Sequence, residues 1–218
     1  MLNTFRHCVC TASLILACSA QSDIIDFTDA DTWSGADGQD AYFATDAGIG
    51  ISVSSEGTGK LTFNGHEGPG NLDLTVGGFL SGDGDGIGIR NIGDSDELNN
   101  DGRTTELLKV TFDDIYSVLE IFILDLFNNE IAAFTYNDIT DSYQSSGSVS
   151  WGFHEIEAGV DGVDTNSLTF FVPVPAPGDD GDNDFALAGL RVTTVPEPAS
   201  LLLLGIGLLG LGLSRRRL

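Results

Sequence analysis

A loop of closely spaced oxygen donors is the strongest candidate for chemistry in this sequence. Its side chains are Asp94, Asp96, Glu97, Asn99 and Asp101, and Glu106 opens the strand-like segment that follows. Ca²⁺ is a hard cation that takes six to eight oxygen ligands at roughly 2.3–2.6 Å, so such a loop could wrap one. Asp and Asn also populate turns because their side chains bond the local backbone. A structural Ca²⁺ site and a set of solvated turns are therefore both open.

Two further acidic stretches could contribute to the same chemistry. They are Asp83-Gly84-Asp85-Gly86 and the segment from Asp179 to Asp184. Loops that are distant in sequence gather at one end of a β-sandwich, so a composite cation site is an alternative to a site within one loop.

Catalytic motifs have little support. All three cysteines lie in the first 20 residues, and the later histidines, His66 and His154, do not form a ligand-spaced pair. The body of the chain has no nucleophile elbow, Walker loop or dinucleotide fingerprint. Glycoside hydrolysis needs only two suitably placed carboxylates, and a chain this acidic offers many chance pairs. We expect a non-catalytic protein, with a secreted hydrolase as the less favoured alternative.

Aromatic side chains offer a binding role instead. Trp33 lies in the polar, turn-rich segment Asp31-Thr32-Trp33-Ser34-Gly35, and Tyr42 follows nearby. Because an exposed aromatic ring can stack on a sugar face, these two residues are the candidate platform of a carbohydrate-binding module. Trp151 alternates with Val149 and Phe153 along a strand-like segment, which favours a place in the core.

The charge of the chain excludes some partners. It has 33 acidic and nine basic residues, a net charge of −24 with neutral histidines, and residues 21–196 alone carry −27. A body this acidic repels phosphate backbones and anionic membrane surfaces, so we expect no nucleic-acid binding.

The C-terminal segment has the features of a targeting signal. Pro196, Glu197 and Pro198 precede a 15-residue apolar run, Ala199–Leu213, and the cluster Arg215, Arg216, Arg217. Proline restricts its own backbone and that of the preceding residue, so the motif is extended and accessible. A helix of 15 residues spans about 22 Å, which is short for a roughly 30 Å bilayer core unless the arginines snorkel and the bilayer thins. By the positive-inside rule the arginines stay in the cytoplasm and the body is exported.

This order of motif, apolar helix and arginine cluster resembles the PEP-CTERM sorting signal, with Pro196, Glu197 and Pro198 matching it residue by residue. The resemblance implies that exosortase, a membrane-embedded transpeptidase, recognises the tail and cleaves it near the motif. It implies a body in the periplasm, held at the inner membrane by the tail, that is passed to the cell surface or extracellular medium. Exopolysaccharide or biofilm matrix is the partner that the resemblance implies.

The N-terminus also predicts export. Arg6 and His7 precede the apolar run Val9–Ala17, and Cys18-Ser19-Ala20 places small residues before a cleavage site. We expect signal peptidase to cleave after Ala20. The alternative is a lipoprotein modified at Cys18.

The sequence of the body predicts short strands separated by turns rich in Gly, Asp, Asn and Ser. The predicted strands are Ile24–Thr28, Gly50–Ser54, Lys60–Asn64, Leu72–Val76, Gly86–Asn91, Leu107–Phe112, Val118–Leu124, Ile131–Tyr136, Val149–Phe153, Leu168–Val172 and Phe185–Thr193. With 28 glycines and no amphipathic helix, this pattern predicts an all-β fold, an antiparallel β-sandwich of jelly-roll type. The stretch from Gly86 to Phe112 also resembles a sandwich segment found in many PEP-CTERM proteins.

The sequence therefore predicts a signal peptide at residues 1–20, a β-sandwich domain at 21–194, and a sorting signal with one hydrophobic helix at 195–218. Its predicted partners are signal peptidase, exosortase, the inner membrane and exopolysaccharide. The predicted role is a structural or interaction protein of the matrix.

Overall fold

β-Strands make up most of the computed structural model, which describes residues 22–57, 59–65, 80–90, 97–100, 105–127, 129–146, 152–158, 162–173 and 184–195. The strands are β1 (Ser22–Asp26), β2 (Ala41–Asp46), β3 (Ile49–Ser55), β4 (Lys60–Gly65), β5 (Gly84–Arg90), β6 (Leu98–Asn99), β7 (Leu108–Leu124), β8 (Ile131–Tyr136), β9 (Ile139–Gln144), β10 (His154–Glu157), β11 (Val163–Phe171) and β12 (Asp184–Thr194). Every strand pairing is antiparallel, so the predicted all-β antiparallel fold is confirmed.

Strand β7 organises the sheet because it belongs to two portions of it. Its first residues, Leu108–Phe112, lie between β3 and β11, and the order there is β2-β3-β7-β11-β8-β9. Its second half pairs with β12 on one side and β10 on the other. Strand β12 pairs in turn with β6, β5 and β1, and β4 pairs with β5.

A bend within β7 separates the two portions. Between Thr111 and Tyr116, four residues of β7 face a single residue of β11, and Asp113, Asp114 and Ile115 are exposed. Such an irregularity increases the local twist and redirects the strand. The sequence predicts two strands here, Leu107–Phe112 and Val118–Leu124, and that division is wrong because the strand bends without ending.

The main hydrophobic core draws on both portions. Alternating residues of β3, β7, β8 and β11 pack in one cluster with residues of β1, β5 and β12, as a two-layered, sandwich-like fold requires. A smaller cluster lies on the opposite face of the β12 portion, the part of the sheet in which the second half of β7 pairs with β12 and β10. There Phe122, Leu124, Phe153 and Ala188 are buried and Leu80 packs against them. The jelly-roll connectivity stays a prediction, as do the predicted domain boundaries.

Within the described ranges, one short α-helix interrupts the strands. Helix α1 (Ala30–Trp33) begins after Asp29, whose carboxylate accepts hydrogen bonds from the Asp31 amide at 3.1 Å and the Thr32 hydroxyl at 2.6 Å. This N-cap satisfies amide groups that the first helical turn leaves without partners. A 3₁₀ turn follows at Ser34–Ala36. No helix in the part of the chain that the structure describes is long and apolar enough to cross a membrane.

Candidate functional site

The first and last strands of the body end side by side. Strands β1 and β12 are antiparallel neighbours, with Ser22 opposite Thr193, and Thr194 lies opposite Tyr116 of β7. The start of β1 and the end of β12 therefore lie at one end of the sheet. The chain enters and leaves the described fold at this end.

Negative charge accumulates at the same end. The Tyr116 hydroxyl donates to the Asp113 carboxylate at 3.3 Å. Burial raises the pKa of Tyr116, and the carboxylates of Asp113, Asp114 and Asp23 raise this pKa further. The surface beside the end of β12 is thus acidic.

The predicted processing motif begins almost directly after the sheet. Strand β12 ends at Thr194, and Ala199 opens the predicted apolar helix five residues later. Five residues span at most about 17 Å when fully extended. The body is therefore joined to its predicted membrane segment by a short tether.

Several predicted residues lie outside the described residues: Ala20, Pro196, Glu197, Pro198, Arg215, Arg216 and Arg217.

The predicted Ca²⁺ loop is described only in part, since Asp94, Asp96 and Asp101 lie outside the described residues. Glu106 is nearly buried, and its carboxylate accepts a hydrogen bond from the Asn99 amide at 2.9 Å. The side-chain oxygen of Asn99 is buried and has no hydrogen-bond partner among the described residues. Because this oxygen is an acceptor, it is suited to a cation.

Strand pairing brings a second predicted acidic stretch to this loop. Asp184, at the start of β12, lies opposite Asn99 in β6. Asn99, Glu106 and Asp184 are thus neighbours, as a cation site composed of two loops requires. Glu97 begins the described stretch 97–100 that contains Asn99. Within the described ranges, no three Asp, Glu, His or Cys side chains are close enough together to hold a metal. The Ca²⁺ site stays a prediction.

The predicted carbohydrate platform is wrong for Trp33. Its side chain is fully buried, with ring centroids 4.7 Å from Phe27 and 6.1 Å from Tyr42. The capped helix α1 places this ring in the core, where no ligand can stack on it. Tyr42 packs against the same core, and its hydroxyl donates to the Thr32 carbonyl at 3.3 Å.

His154 is held by hydrogen bonds at both ring nitrogens. Nδ1 lies 3.1 Å from the Tyr143 hydroxyl, and Nε2 lies 2.9 Å from the Leu126 carbonyl oxygen. Burial lowers the pKa of His154, although the bond to Leu126 opposes the shift. This histidine is a structural link between β9, β10 and the end of β7.

A carboxylate pair on the β12 portion was not identified from the sequence. Glu120 forms an ion pair with Arg191, which also lies 5.8 Å from the ring centroid of Phe122. Partial desolvation of this exposed side chain and the neighbouring Glu120 raise the pKa of Glu155, and Arg191 opposes the shift. Only strand pairing shows the proximity, because the two glutamates are 35 positions apart in sequence.

Comparison with known proteins addresses the end of the chain. A search of curated proteins finds no match to this sequence. The PEP-CTERM protein-sorting motif matches residues 194–217, so the match begins at the last residue of β12. The motif implies processing by exosortase, a membrane transpeptidase, and a final place at the cell surface or outside the cell. The chain is thus a protein with a PEP-CTERM sorting motif, exported and sorted by an exosortase system.

Proposed function

We propose that this chain is a non-catalytic protein of the cell surface or extracellular matrix, associated with exopolysaccharide. Before processing, the apolar helix holds the chain at the inner membrane with the body in the periplasm. Signal peptidase removes residues 1–20, and exosortase cleaves near Pro196-Glu197-Pro198.

The position of the motif supports this proposal. All described strands precede Val195, and the motif match starts at Thr194. Cleavage near residues 196–198 therefore leaves β12 paired with β1 and β7. The enzyme would release a body that keeps its sheet and its core.

Fractionation of the producing bacterium tests the sorting step. We expect the wild-type body in the extracellular fraction and a variant with Pro196, Glu197 and Pro198 all changed to Ala in the inner membrane at its unprocessed mass. Glu157→Ala removes an exposed carboxylate from the body and serves as the control, with wild-type sorting. Wild-type release of the triple variant would refute processing at this motif.

Association with exopolysaccharide needs a separate measurement. The released body should sediment with the extracellular polysaccharide and become soluble when that polysaccharide is digested. A body that stays soluble at all times, although the tail is cleaved, would leave the sorting intact and rule out the matrix role.

A structural Ca²⁺ at the loop of Glu97, Asn99 and Glu106 is part of the proposal. The buried, unpartnered oxygen of Asn99 supports it, as do the adjacent Glu106 carboxylate and Asp184 across the strand pair. Carboxylate and amide oxygens are typical Ca²⁺ ligands.

A secreted hydrolase is the second candidate, and the proximity of Glu120 and Glu155 is the observation that favours it. A general acid of raised pKa is one requirement of a glycosidase, but the hydrogen bond between Glu155 and Glu120 brings this pair closer than the roughly 5–9.5 Å that separates glycosidase carboxyl groups. Release of reducing ends from the matrix polysaccharide, lost in Glu155→Gln, would support it. We expect no release, because Glu120 is already engaged by Arg191.

A further inference from the structure

The outward face of the sheet portion that contains β3 and β11 is lined by hydroxyl groups. Cross-strand pairing places their side chains in two rows, Ser52-Thr111-Ser167 and Ser54-Lys109-Thr169-Thr135. We call this surface the hydroxyl face and define it by Ser52, Ser54, Thr111, Ser167, Thr169 and Thr135. None of these six side chains is buried.

The hydroxyl face is broad. Its rows continue onto the edge strands, where Phe43 of β2 lies opposite Ser52 and Thr140 of β9 lies opposite Thr135. Six strands at about 4.8 Å spacing extend roughly 24 Å from β2 to β9. The Thr135 and Thr140 hydroxyl oxygens are 3.0 Å apart, which shows how cross-strand pairing aligns these groups.

Charge is almost absent from this face, although the chain carries −24. At the outward positions of these described strands it is confined to Lys109 and, near the bend, to the exposed Asp113 and Asp164. Lys109 forms an ion pair with Glu56 at 3.2 Å, and Asp113 accepts a hydrogen bond from the Gly50 amide at 3.1 Å. Most acidic residues of the described body therefore lie elsewhere.

One apolar side chain stands out at the edge of the face. Phe43 is 66% exposed, the largest exposed fraction among the exposed large hydrophobic residues of the described chain. It adjoins Ser52 across the strand pair. An exposed ring beside a row of hydroxyl groups presents both stacking and hydrogen-bonding groups to one ligand.

We propose that the hydroxyl face binds an uncharged polysaccharide. Hydroxyl side chains both donate and accept hydrogen bonds, as sugar hydroxyls do, and threonine methyl groups and Phe43 match the apolar faces of sugar rings. Its one basic group, Lys109, is already paired with Glu56, which does not suit an anionic polymer, and a second copy would bring another body of net charge −27 into proximity. This inference rests on the proposed association with exopolysaccharide and assigns the contact surface.

Affinity electrophoresis in native gels tests the proposal with the protein that the producing bacterium releases. The probe is that bacterium's own extracellular polysaccharide, divided by anion exchange into a neutral and an acidic fraction. We expect the neutral fraction to retard the protein and the acidic fraction to leave its mobility unchanged.

Three variants locate the contact. The double variant Thr111→Val/Thr169→Val keeps shape and strand propensity but removes two hydroxyl groups, and should raise the half-retarding concentration about tenfold. Phe43→Ala should raise it about fivefold. Phe127→Ala, at a phenylalanine that is 43% exposed outside these strands, should leave it unchanged. Equal melting temperatures verify folding.

Several results would overturn the assignment. Unchanged retardation of the double variant and of Phe43→Ala would place binding elsewhere, and retardation by the acidic fraction alone would assign a different ligand. No retardation by either fraction would also refute it. Sedimentation that shows a dimer lost in Phe43→Ala would make the face a contact between copies. If the body still sediments with the matrix in these cases, the proposed function stands and only this inference fails.

Discussion

Individual side chains in this protein take their roles from the elements in which they lie and from what those elements pack against. Trp33 illustrates the limit of sequence interpretation, because polar neighbours predict exposure whereas the capped helix α1 buries its ring. The proximity of Glu120 and Glu155 could not be predicted from the sequence either, because it depends on how β10 pairs with β7. Asn99, Glu106 and Asp184 were predicted as candidates, and strand pairing brings them together.

His154 should make stability depend on pH. Because burial lowers its pKa in the folded chain below the ordinary 6.5, the unfolded chain takes up a proton first on acidification. The free energy of unfolding therefore falls as pH drops through about 6.5. His154→Gln should be less stable by about 1–2 kcal/mol at pH 8, from lost buried hydrogen bonds. Denaturant unfolding from pH 8 to 5 should show this difference shrinking.

Tyr143→Phe provides the control for that experiment. It removes the partner of Nδ1 but keeps the titrating ring and the contact with Leu126. This variant should keep the pH dependence of the wild type at lower stability. Parallel curves for wild type and His154→Gln would show that His154 does not cause the dependence.

Glu155 should oppose folding while it is ionised. Partial desolvation and Glu120 raise its pKa in the folded chain, so the folded state holds its proton to higher pH than the unfolded state does. Stability is therefore lost as pH rises through the pKa of the unfolded chain toward that of the folded one. Glu155→Gln should gain about 0.5 kcal/mol at pH 8 and nothing at pH 3. Denaturant unfolding measures this, and an equal gain at both pH values would contradict it.

Strands with a buried, alternating face could be predicted from the sequence, whereas two exposed edge strands could not. Ile131–Tyr136 agrees with β8, and Phe185–Thr193 lies within β12. Strands β2 and β9 were missed, because each lies at an edge and exposes alternate or nearly all residues. Their sequences therefore lack the apolar pattern that pairing on both sides produces. The predicted strand Leu72–Val76 lies outside the described residues.

The contact between β5 and β12 depends on a glycine. Gly86 has a φ of +106°, and a Cβ atom there would lie 2.3 Å from the Leu187 carbonyl oxygen. Gly86→Ala thus combines backbone strain with a clash against backbone, and should cost about 2–4 kcal/mol in denaturant unfolding. Gly38→Ala is the matched control, since φ is +77° and nothing lies within 4 Å of the added Cβ. It should cost only about 1 kcal/mol. Equal losses would mean that strain alone matters.

At the scale of the whole molecule, the fold separates three surfaces. One end carries the paired start of β1 and end of β12, next to the sorting motif. The outer face of the β3 and β11 portion is nearly uncharged, and acidic loops occupy other parts of the described surface. The sorting motif could be predicted in full from the sequence, because its signal is local and ordered. The hydroxyl face could not, because it exists only when four strands align.

Ca²⁺ should stabilise the whole molecule if the loop of Asn99 and Glu106 holds it. A ligand that binds only the folded state adds about 2.7 kcal/mol at one hundred times its dissociation constant, which moves the melting temperature of a domain this size by several degrees. Thermal unfolding of the released protein should therefore show a saturable rise when Ca²⁺ replaces EDTA at constant ionic strength, and Mg²⁺ should not reproduce it. Constant ionic strength is necessary because any salt screens repulsion within so acidic a body.

Two variants test whether the Ca²⁺-dependent rise in melting temperature comes from the loop of Asn99 and Glu106. Glu106→Gln lowers the charge of the candidate site and should abolish the Ca²⁺-dependent shift, whereas Glu157→Gln changes an exposed carboxylate on β10 and should leave the shift intact. Because the side-chain carbonyl introduced by Glu106→Gln would still accept a bond from the Asn99 amide, the variant should fold in EDTA. A shift that survives in Glu106→Gln would move the ion to another acidic loop. No shift in the wild type beyond that of an inert salt would mean that these loops are solvated turns. Their carboxylates would then contribute negative charge to the body and would bind no Ca²⁺.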